Sequence, residues 1–367
     1  MKIELKILFI LAIFSFTILA GCKTEDTEIG MEQSTADIEE RKNYQILPNY
    51  GETRGIIVQE IYNPLDVTNI EVELMNLSQQ HFPSTKFFYR EGNTIKNISK
   101  WHERQSDEPE GLNPAIEIPE DAGWEIKMEL EKKHPKYLAI IEDQEYVDKK
   151  GTIKGLSIGV ILNSTYYIDK IIDDQGLKHT DLVELKEKFL KKKGKEIGEQ
   201  ILHRIRKQKE LSNVPVFIAL YIQANKNNML PGRYFASTIV NDNKQSIKWV
   251  DINRNQISVP SKTFGKINKE LNDKITYIKE DIEKYYNMNF SLSGKGLIDD
   301  SNIEKISLEL SIDPLSYPSL VGLVQYITPE ISNLSQDFPI TLLITSIDEP
   351  KAIIICNKNQ SPKIHIY

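Results

Sequence analysis

The sequence predicts an α+β fold made of two tandem related repeats, each a mainly antiparallel sheet with helices packed on it. Three observations predict it. Apolar runs of strand length alternate with longer stretches of helical period. A strand–helix–strand succession over residues 155–221 recurs over 306–344. The two closing strands of the second copy are joined too closely for a parallel crossover, so they should pair antiparallel. At 367 residues the chain has room for two medium domains.

The first element is a leader, assigned to residues 1–21. Lys2 and Lys6 flank Glu4, Ile7 to Leu19 form an apolar run, and Leu19-Ala20-Gly21-Cys22 closes it. The run is about 13 residues, against the roughly 20 that a helix needs to cross a bilayer, so a spanning anchor is not expected. Small residues before a cysteine read as a lipobox: cleavage between Gly21 and Cys22, with diacylglycerol on the Cys22 thiol. Residues 22–43 are polar and aperiodic and are expected to be a disordered acidic tether. As a flexible coil it would reach about 25 Å.

Residues 44–240 form the first predicted repeat. A helix over Ile70–Gln80 is followed by an edge strand at Lys86–Tyr89. Gly155–Leu162 reads as a strand, Ile197–Ile205 as a helix, Val214–Tyr221 as a buried strand and Gly232–Ser237 as its hairpin partner. Residues 241–367 form the second, with a helix over Phe264–Tyr286 and an edge strand at Asn289–Leu292. Its remaining strands are Ile306–Ile312, Phe338–Ile344 and Ala352–Cys356, with a helix beginning at Val321–Ile327. Gly198 to Gly322 and Pro215 to Pro339 are both offset by 124 residues, so helix and following strand align without a gap. The spacing from Lys154 to Gly198, set against Lys305 to Gly322, gives the first copy 27 extra residues. Within them Leu182–Leu190 reads as an additional amphipathic segment. The helices are expected on one face of each sheet, with a ligand groove between the copies.

The formal charge is −7; removing Lys2, Lys6 and Glu4 with the leader makes it −8. Such an acidic chain is a poor partner for nucleic acid and gains nothing from anionic headgroups, so the lipid on Cys22 must hold it. Two acyl chains give stable attachment where one does not. Only Cys22 and Cys356 are present, which excludes a disulfide framework and a Cys-based zinc site. Cys356 lies in an apolar run and reads as a buried small hydrophobe.

Catalytic and cofactor chemistry finds little foothold, and no enzyme activity, metal or cofactor is expected. The six histidines make no helical zinc spacing, and Trp101-His102-Glu103 reads as a surface loop. Gly155-Leu156-Ser157-Ile158-Gly159 spells Gly-x-Ser-x-Gly, but a nucleophile elbow needs a turn from strand to helix, whereas Ser157 opens a continuing strand. Two features are left for binding. Glu108–Pro114 is turn-rich within a long irregular region. Asn163, Tyr166 and Tyr167 follow the first central strand and line the candidate groove.

These segments resemble the CamS family of sex pheromone lipoproteins of low-GC Gram-positive bacteria. The similarity is carried by the lipobox, Tyr44–Pro48, Arg54-Gly55, Gly111–Pro114, Gly155–Tyr167, Val214–Gln223, Pro231–Phe235, Gln325–Ile327 and Ile364–Tyr367. It implies a tandem-repeat body, lipid-anchored at the outer face of the cytoplasmic membrane, with a peptide, cell-wall or protein partner. In some members of the family the end of the leader, released by processing, is a peptide pheromone. The family's peptides look like an Ala-Ile-Phe-Ile-Leu-Ala core; here Ser15-Phe16-Thr17 separates Ala12-Ile13-Phe14 from Ile18-Leu19-Ala20. The rival expectation, a solute-binding lipoprotein of a transport system, requires two parallel-sheet lobes around a cleft.

Overall fold

Two six-stranded sheets with the same strand order and the same strand directions form the framework of the computed structural model. It describes residues 43–48, 51, 53, 55–242, 246–286 and 290–367. The leader, Gly21, Cys22 and the tether up to residue 42 lie outside the described residues. Asn43–Tyr367 forms one unit.

The first half runs α1 (Ile56–Glu60), α2 (Pro64–Ser78), β1 (Phe88–Glu91), α3 (Trp124–Lys133), β2 (Leu138–Val147), β3 (Ile153–Asn163), β4 (Thr165–Ile172), β5 (Lys178–Glu184), α4 (Glu187–Lys207), β6 (Val216–Gln223), β7 (Arg233–Val240) and β8 (Val250–Asp251). The second runs β9 (Arg254–Val259), α5 (Lys262–Ile267), α6 (Lys269–Tyr286), β10 (Ser291–Asp299), β11 (Asn302–Ser311), α7 (Tyr317–Leu334), β12 (Ile340–Ser346), β13 (Glu349–Cys356) and β14 (Lys363–Ile366). One sheet has the order β1-β2-β3-β6-β7-β8 and the other β9-β10-β11-β12-β13-β14. In each, the central pair is parallel, β3 with β6 and β11 with β12, and every other pairing is antiparallel.

Register confirms the duplication residue by residue. Leu156 pairs with Val216 and Ile306 with Ile340. The same backbone bond opens each pair, Leu156 N–H to Pro215 O at 2.9 Å and Ile306 N–H to Pro339 O at 3.0 Å. Ile306 therefore matches Leu156, one residue off the sequence pairing of Lys305 with Lys154, and the insertion is one residue shorter than counted. It is the antiparallel ribbon β4–β5. Leu182–Leu190 is not one segment: it splits between the end of β5 and the first turn of α4.

The beginnings of the two halves differ from the predicted grammar. In the first, helix α2 precedes the edge strand β1. In the second, the edge strand is β9 and the helices follow it, so the strand predicted at Asn289–Leu292 becomes β10, an interior strand between β9 and β11. The chain leaves the first sheet after Asp251 and enters the second at Arg254, later than the 240/241 division.

Helix placement also differs. In the second repeat, Leu271, Ile275 and Ile282 of α6 and Leu323, Ile327 and Ile331 of α7 share one core with Ile306, Leu308, Leu310, Ile340 and Leu342. This is the predicted one-faced arrangement, and β11 alternates buried with partly exposed residues over its second half. In the first repeat, α4 packs on Ile158, Val160, Ile218 and Leu220, while Ile70 and Leu74 of α2 pack with Ile161, Phe217, Ala219 and Tyr221. Alternate residues of a strand face opposite sides, so α2 and α4 cover opposite faces. Strands β2 and β6 are accordingly buried along almost their whole length. Among the described residues no helix is long and apolar enough to cross a membrane. Cys356 is buried and free, in β13.

Candidate binding site at the carboxyl ends of the parallel strands

The crevice beyond the carboxyl ends of parallel strands is where open sheets gather ligand-binding groups. In the first repeat, β3 ends at Asn163 and β6 at Gln223, and the two residues are register partners. Both side chains are buried. Gln223 Nε2 donates to Asn163 Oδ1 at 2.5 Å, and Asn163 Nδ2 donates to Lys136 O at 2.9 Å. Gln223 Oε1 accepts the Tyr62 N–H at 2.9 Å. The amide pair thus ties the strand ends to the α1–α2 junction.

Tyr62 and Tyr167 meet edge to face above this pair, with ring centroids 4.7 Å apart. Lys226, in the β6–β7 loop, lies over both, its Nζ 4.1 Å from the Tyr167 centroid and 5.2 Å from that of Tyr62. The Lys226 N–H donates to Tyr167 Oη at 3.1 Å. Burial pushes the Tyr62 phenol up to about 12, with the Glu60 and Asp169 carboxylates adding to it.

The loop that carries Lys226 is built from the first turn of α2. Asn63 caps that helix by accepting the Leu65 N–H at 3.0 Å, and Pro64 follows at a position that needs no amide hydrogen. Its Nδ2 donates to Asn225 O at 3.1 Å and Asn228 O at 2.9 Å. Fully buried Asp66 accepts from Tyr221 Oη at 2.6 Å, Ala224 N at 2.7 Å and Gly232 N at 2.5 Å. Burial raises the Asp66 carboxyl, and these three donors partly offset the rise. Gly232 has to be glycine: a Cβ there would sit 2.0 Å from Ile222 O.

A rim of charge flanks the crevice. Lys136 Nζ lies 3.0 Å from Glu103 Oε2, and His102 Nε2 lies 3.4 Å from Glu103 Oε1. Burial lowers the His102 imidazole and favours its neutral form. Burial raises Glu103, but the Lys136 hydrogen bond and charge outweigh it and bring the carboxyl below its ordinary value. Trp101 and His102 are buried, which corrects the surface-loop expectation.

Of the three predicted groove residues, Asn163 and Tyr167 therefore come together. Tyr166 does not join them. It points to the other side of β4, where its hydroxyl donates to Glu131 Oε2 at 2.7 Å and accepts from Arg104 Nη2 at 3.3 Å. Arg104 also pairs with Glu131. This buried network fastens α3 to the ribbon. The groove expected between the repeats is a second correction. There the cavity is about 20 Å³, room for roughly one water. It is crossed by Arg254, which pairs with Glu73 at 2.6 Å and Glu304 at 2.5 Å, and by Gln256 Nε2 donating to Asn69 Oδ1 at 2.9 Å.

The other candidates resolve as framework. Asn113, in the turn-rich 108–114 stretch, is fully buried and makes four bonds. Its Nδ2 donates to His102 O (2.6 Å) and Leu138 O (2.8 Å), and its Oδ1 accepts from Tyr137 N (3.0 Å) and Leu138 N (2.9 Å). Ser157 sits fully buried inside β3, its hydroxyl 2.7 Å from that of Ser78, which is not the geometry of a nucleophile elbow. Among the described residues, no group of three or more His, Cys, Asp or Glu is placed to hold a metal ion. Tyr62, Gln223 and Lys226 were not picked out in the sequence. The parallel register of β3 and β6 could have found Gln223 from Asn163.

Comparison with known proteins gives a consistent identity. A structure of the C-terminal domain of sex pheromone staph-cAM373 precursor from Staphylococcus aureus superposes with a TM-score of 0.70. It is 24% identical and covers 84% of this chain and 98% of that one. A sex pheromone precursor from Lactobacillus salivarius superposes with a TM-score of 0.77 at 21% identity, covering 89% of this chain and 96% of that one. At these identities the similarity shows a shared fold. A search of curated protein sequences found no match. The family model described as CamS sex pheromone cAM373 precursor matches residues 49–362, most of the chain, and the protein belongs to that family.

Proposed function

We propose that the protein is a CamS lipoprotein, lipid-anchored at the outer face of the cytoplasmic membrane, whose folded body is a non-enzymatic binding protein. The observation that carries this is Leu19-Ala20-Gly21-Cys22 standing ahead of a body that the precursor family matches over residues 49–362. Signal peptidase cleaves before Cys22, and the diacylglyceryl group on its thiol holds the chain. That cut releases the leader, residues 1–21, and a second cleavage between Phe14 and Ser15 frees its end, Ser15–Gly21, as a short apolar peptide. The body presents Tyr62, Tyr167 and Lys226 as its ligand-reading surface, two rings for stacking and an ammonium for an anionic group. A transporter-type cleft between lobes is not favoured, because Arg254 and Gln256 fill the position it needs.

Replacing Cys22 by Ala tests the anchor: an unprocessed, unlipidated precursor is expected, and unchanged processing would overturn the reading. Synthetic Ser15–Gly21 peptide tests the signal. A clumping or conjugation response supports it, and silence at every concentration removes it.

A further inference from the structure

In the first repeat, aromatic rings are met by cations of the same chain. Arg104 lies over Tyr166 at 5.8 Å, Arg204 over Trp101 at 5.1 Å and Lys226 over Tyr167 at 4.1 Å. Among the described residues no Lys or Arg lies over a ring of the second repeat. One aromatic stack there is left facing solvent. Tyr285, in the last turn of α6, stacks on Tyr326 of α7 with ring centroids 4.7 Å and planes 20° apart, and it stays 66% exposed.

The charge around this stack is negative. Residues one helical turn apart are neighbours, so Tyr277, itself 64% exposed, Asp281 and Tyr285 form a stripe along α6. Tyr326 Oη donates to Asp281 Oδ2 at 2.5 Å and holds that carboxylate beside the rings. The bond to Asp281, then burial and the nearby Asp281, Tyr285 and Glu330 groups, push the Tyr326 phenol up to about 12. Glu330, one turn on from Tyr326, is the one charged residue of α7. Three other carboxylates of α6, Glu270, Asp273 and Glu283, each pair with a lysine one turn away. Asp281 and Glu330 pair with none among the described residues.

An exposed ring stack beside unpaired carboxylates fits a cation. A guanidinium suits it best, being planar, able to lie flat on a ring and carrying a fork of donors for a carboxylate, which a lysine ammonium lacks. Rings two-thirds exposed form an open surface rather than an enclosure for a free molecule, and Tyr and Arg are the residues that most often anchor protein interfaces. We propose that this surface docks an arginine side chain of a partner polypeptide, its guanidinium stacked on Tyr285 and hydrogen-bonded to Asp281, with Tyr277 and Glu330 flanking it. The proposal does not depend on the lipid anchor or on the Tyr62–Tyr167 surface.

The test uses protein lacking residues 1–22, which keeps every described residue, with ring-labelled tyrosine observed by NMR. The probes are an end-blocked Gly-Ser-Arg-Ser-Gly peptide, its lysine and citrulline versions, and choline as a free cation. Saturable shifts of the Tyr285 and Tyr326 ring signals are expected with the arginine peptide, weaker binding with lysine and none with uncharged citrulline. Asp281→Asn keeps an acceptor for Tyr326 and should weaken arginine binding about fivefold, the loss of one charge-assisted bond. Tyr285→Ala should weaken it about threefold, the loss of an exposed ring contact. Both variants should melt within about 2 °C of the wild type, since neither side chain belongs to the core. The proposal is overturned by no saturable shift with the arginine peptide, by a lysine or citrulline version that binds as tightly, by tighter binding of choline, or by binding that both variants leave unchanged.

Discussion

The two repeats share one sheet topology but bury it differently. The first sheet is covered on both faces, by α2 on one and α4 on the other; the second carries α6 and α7 together on one face. The cause is where the extra helix enters the chain: before the edge strand in the first repeat, after it in the second. A helix is free to exchange faces because the sheet needs cover, not a particular connection. The face then dictates composition. Phe217, Ala219 and Tyr221 lie under α2, whereas the matching positions in β12 are Thr341 and Leu343, both partly exposed, and Thr345, whose hydroxyl donates to Glu309 Oε1 at 3.0 Å.

The sharpest way to break this comparison is to cut side chains on those faces. Phe217→Ala, in a core position, should cost about 3–5 kcal/mol in denaturant unfolding. Leu343→Ala, on the open face of the second sheet, should cost less than about 1 kcal/mol. Equal costs would mean that the second face is covered too.

Polar anchoring should likewise be confined to the first repeat. Asn113→Ala leaves two backbone N–H groups and two carbonyls without their partner and should cost about 3 kcal/mol or more. Among the described residues of the second repeat the buried polar side chains are Ser335, Thr345 and Ser346, and none of them makes four such bonds.

The aligned helix glycines, Gly198 and Gly322, sharpen the comparison further. A Cβ at Gly198 would lie 2.8 Å from the Trp249 ring, while at Gly322 the nearest atom is Tyr286 Oη at 3.6 Å. Gly198→Ala should destabilise by about 1–3 kcal/mol through overpacking. Gly322→Ala should stabilise by about 0.5–1 kcal/mol, because alanine holds a helix better. Melting curves of the pair decide it.

The smallest effect is one of pH. Burial, with the Asp143, Glu71 and Glu91 carboxylates nearby, holds the Glu142 carboxyl well above its ordinary 4.5. The folded state therefore binds that proton more tightly than the unfolded chain. Its contribution to stability is full below the unfolded value and is lost as pH rises through the raised folded one. Glu142→Gln should narrow the melting-temperature difference between pH 5 and pH 8, chiefly by raising the value at pH 8. A variant that melts in parallel with the wild type at both pH values would remove this assignment.

Much of this fold was legible because apolar period and fixed offsets survive in one sequence. Pro215 and Pro339 marked equivalent strand starts, and Cys356 lay in the strand expected of it. Strand β2 was hidden because Glu142-Asp143-Gln144-Glu145 looks like a surface loop. Yet all four are buried, Glu145 accepting from Arg90, Asn93 and Thr94, and Gln144 donating to Glu71 O. Polar burial satisfied by distant partners leaves no local signal. Strand β9 is similarly silent, since its Arg254 and Gln256 answer Glu73 and Asn69 of the other repeat. At the candidate site, Asn163 and Tyr167 were found from their position after a strand. Tyr62 and Lys226 are brought to them only by the fold, through Asn63 and Asp66 gripping the 224–232 loop.

The proposed lipid anchor is tested most directly by mass spectrometry of the amino-terminal peptide of membrane-extracted protein. The account predicts a first residue of Cys22 carrying diacylglycerol on its sulfur. A peptide that begins elsewhere, or Cys22 with a free thiol, would contradict it.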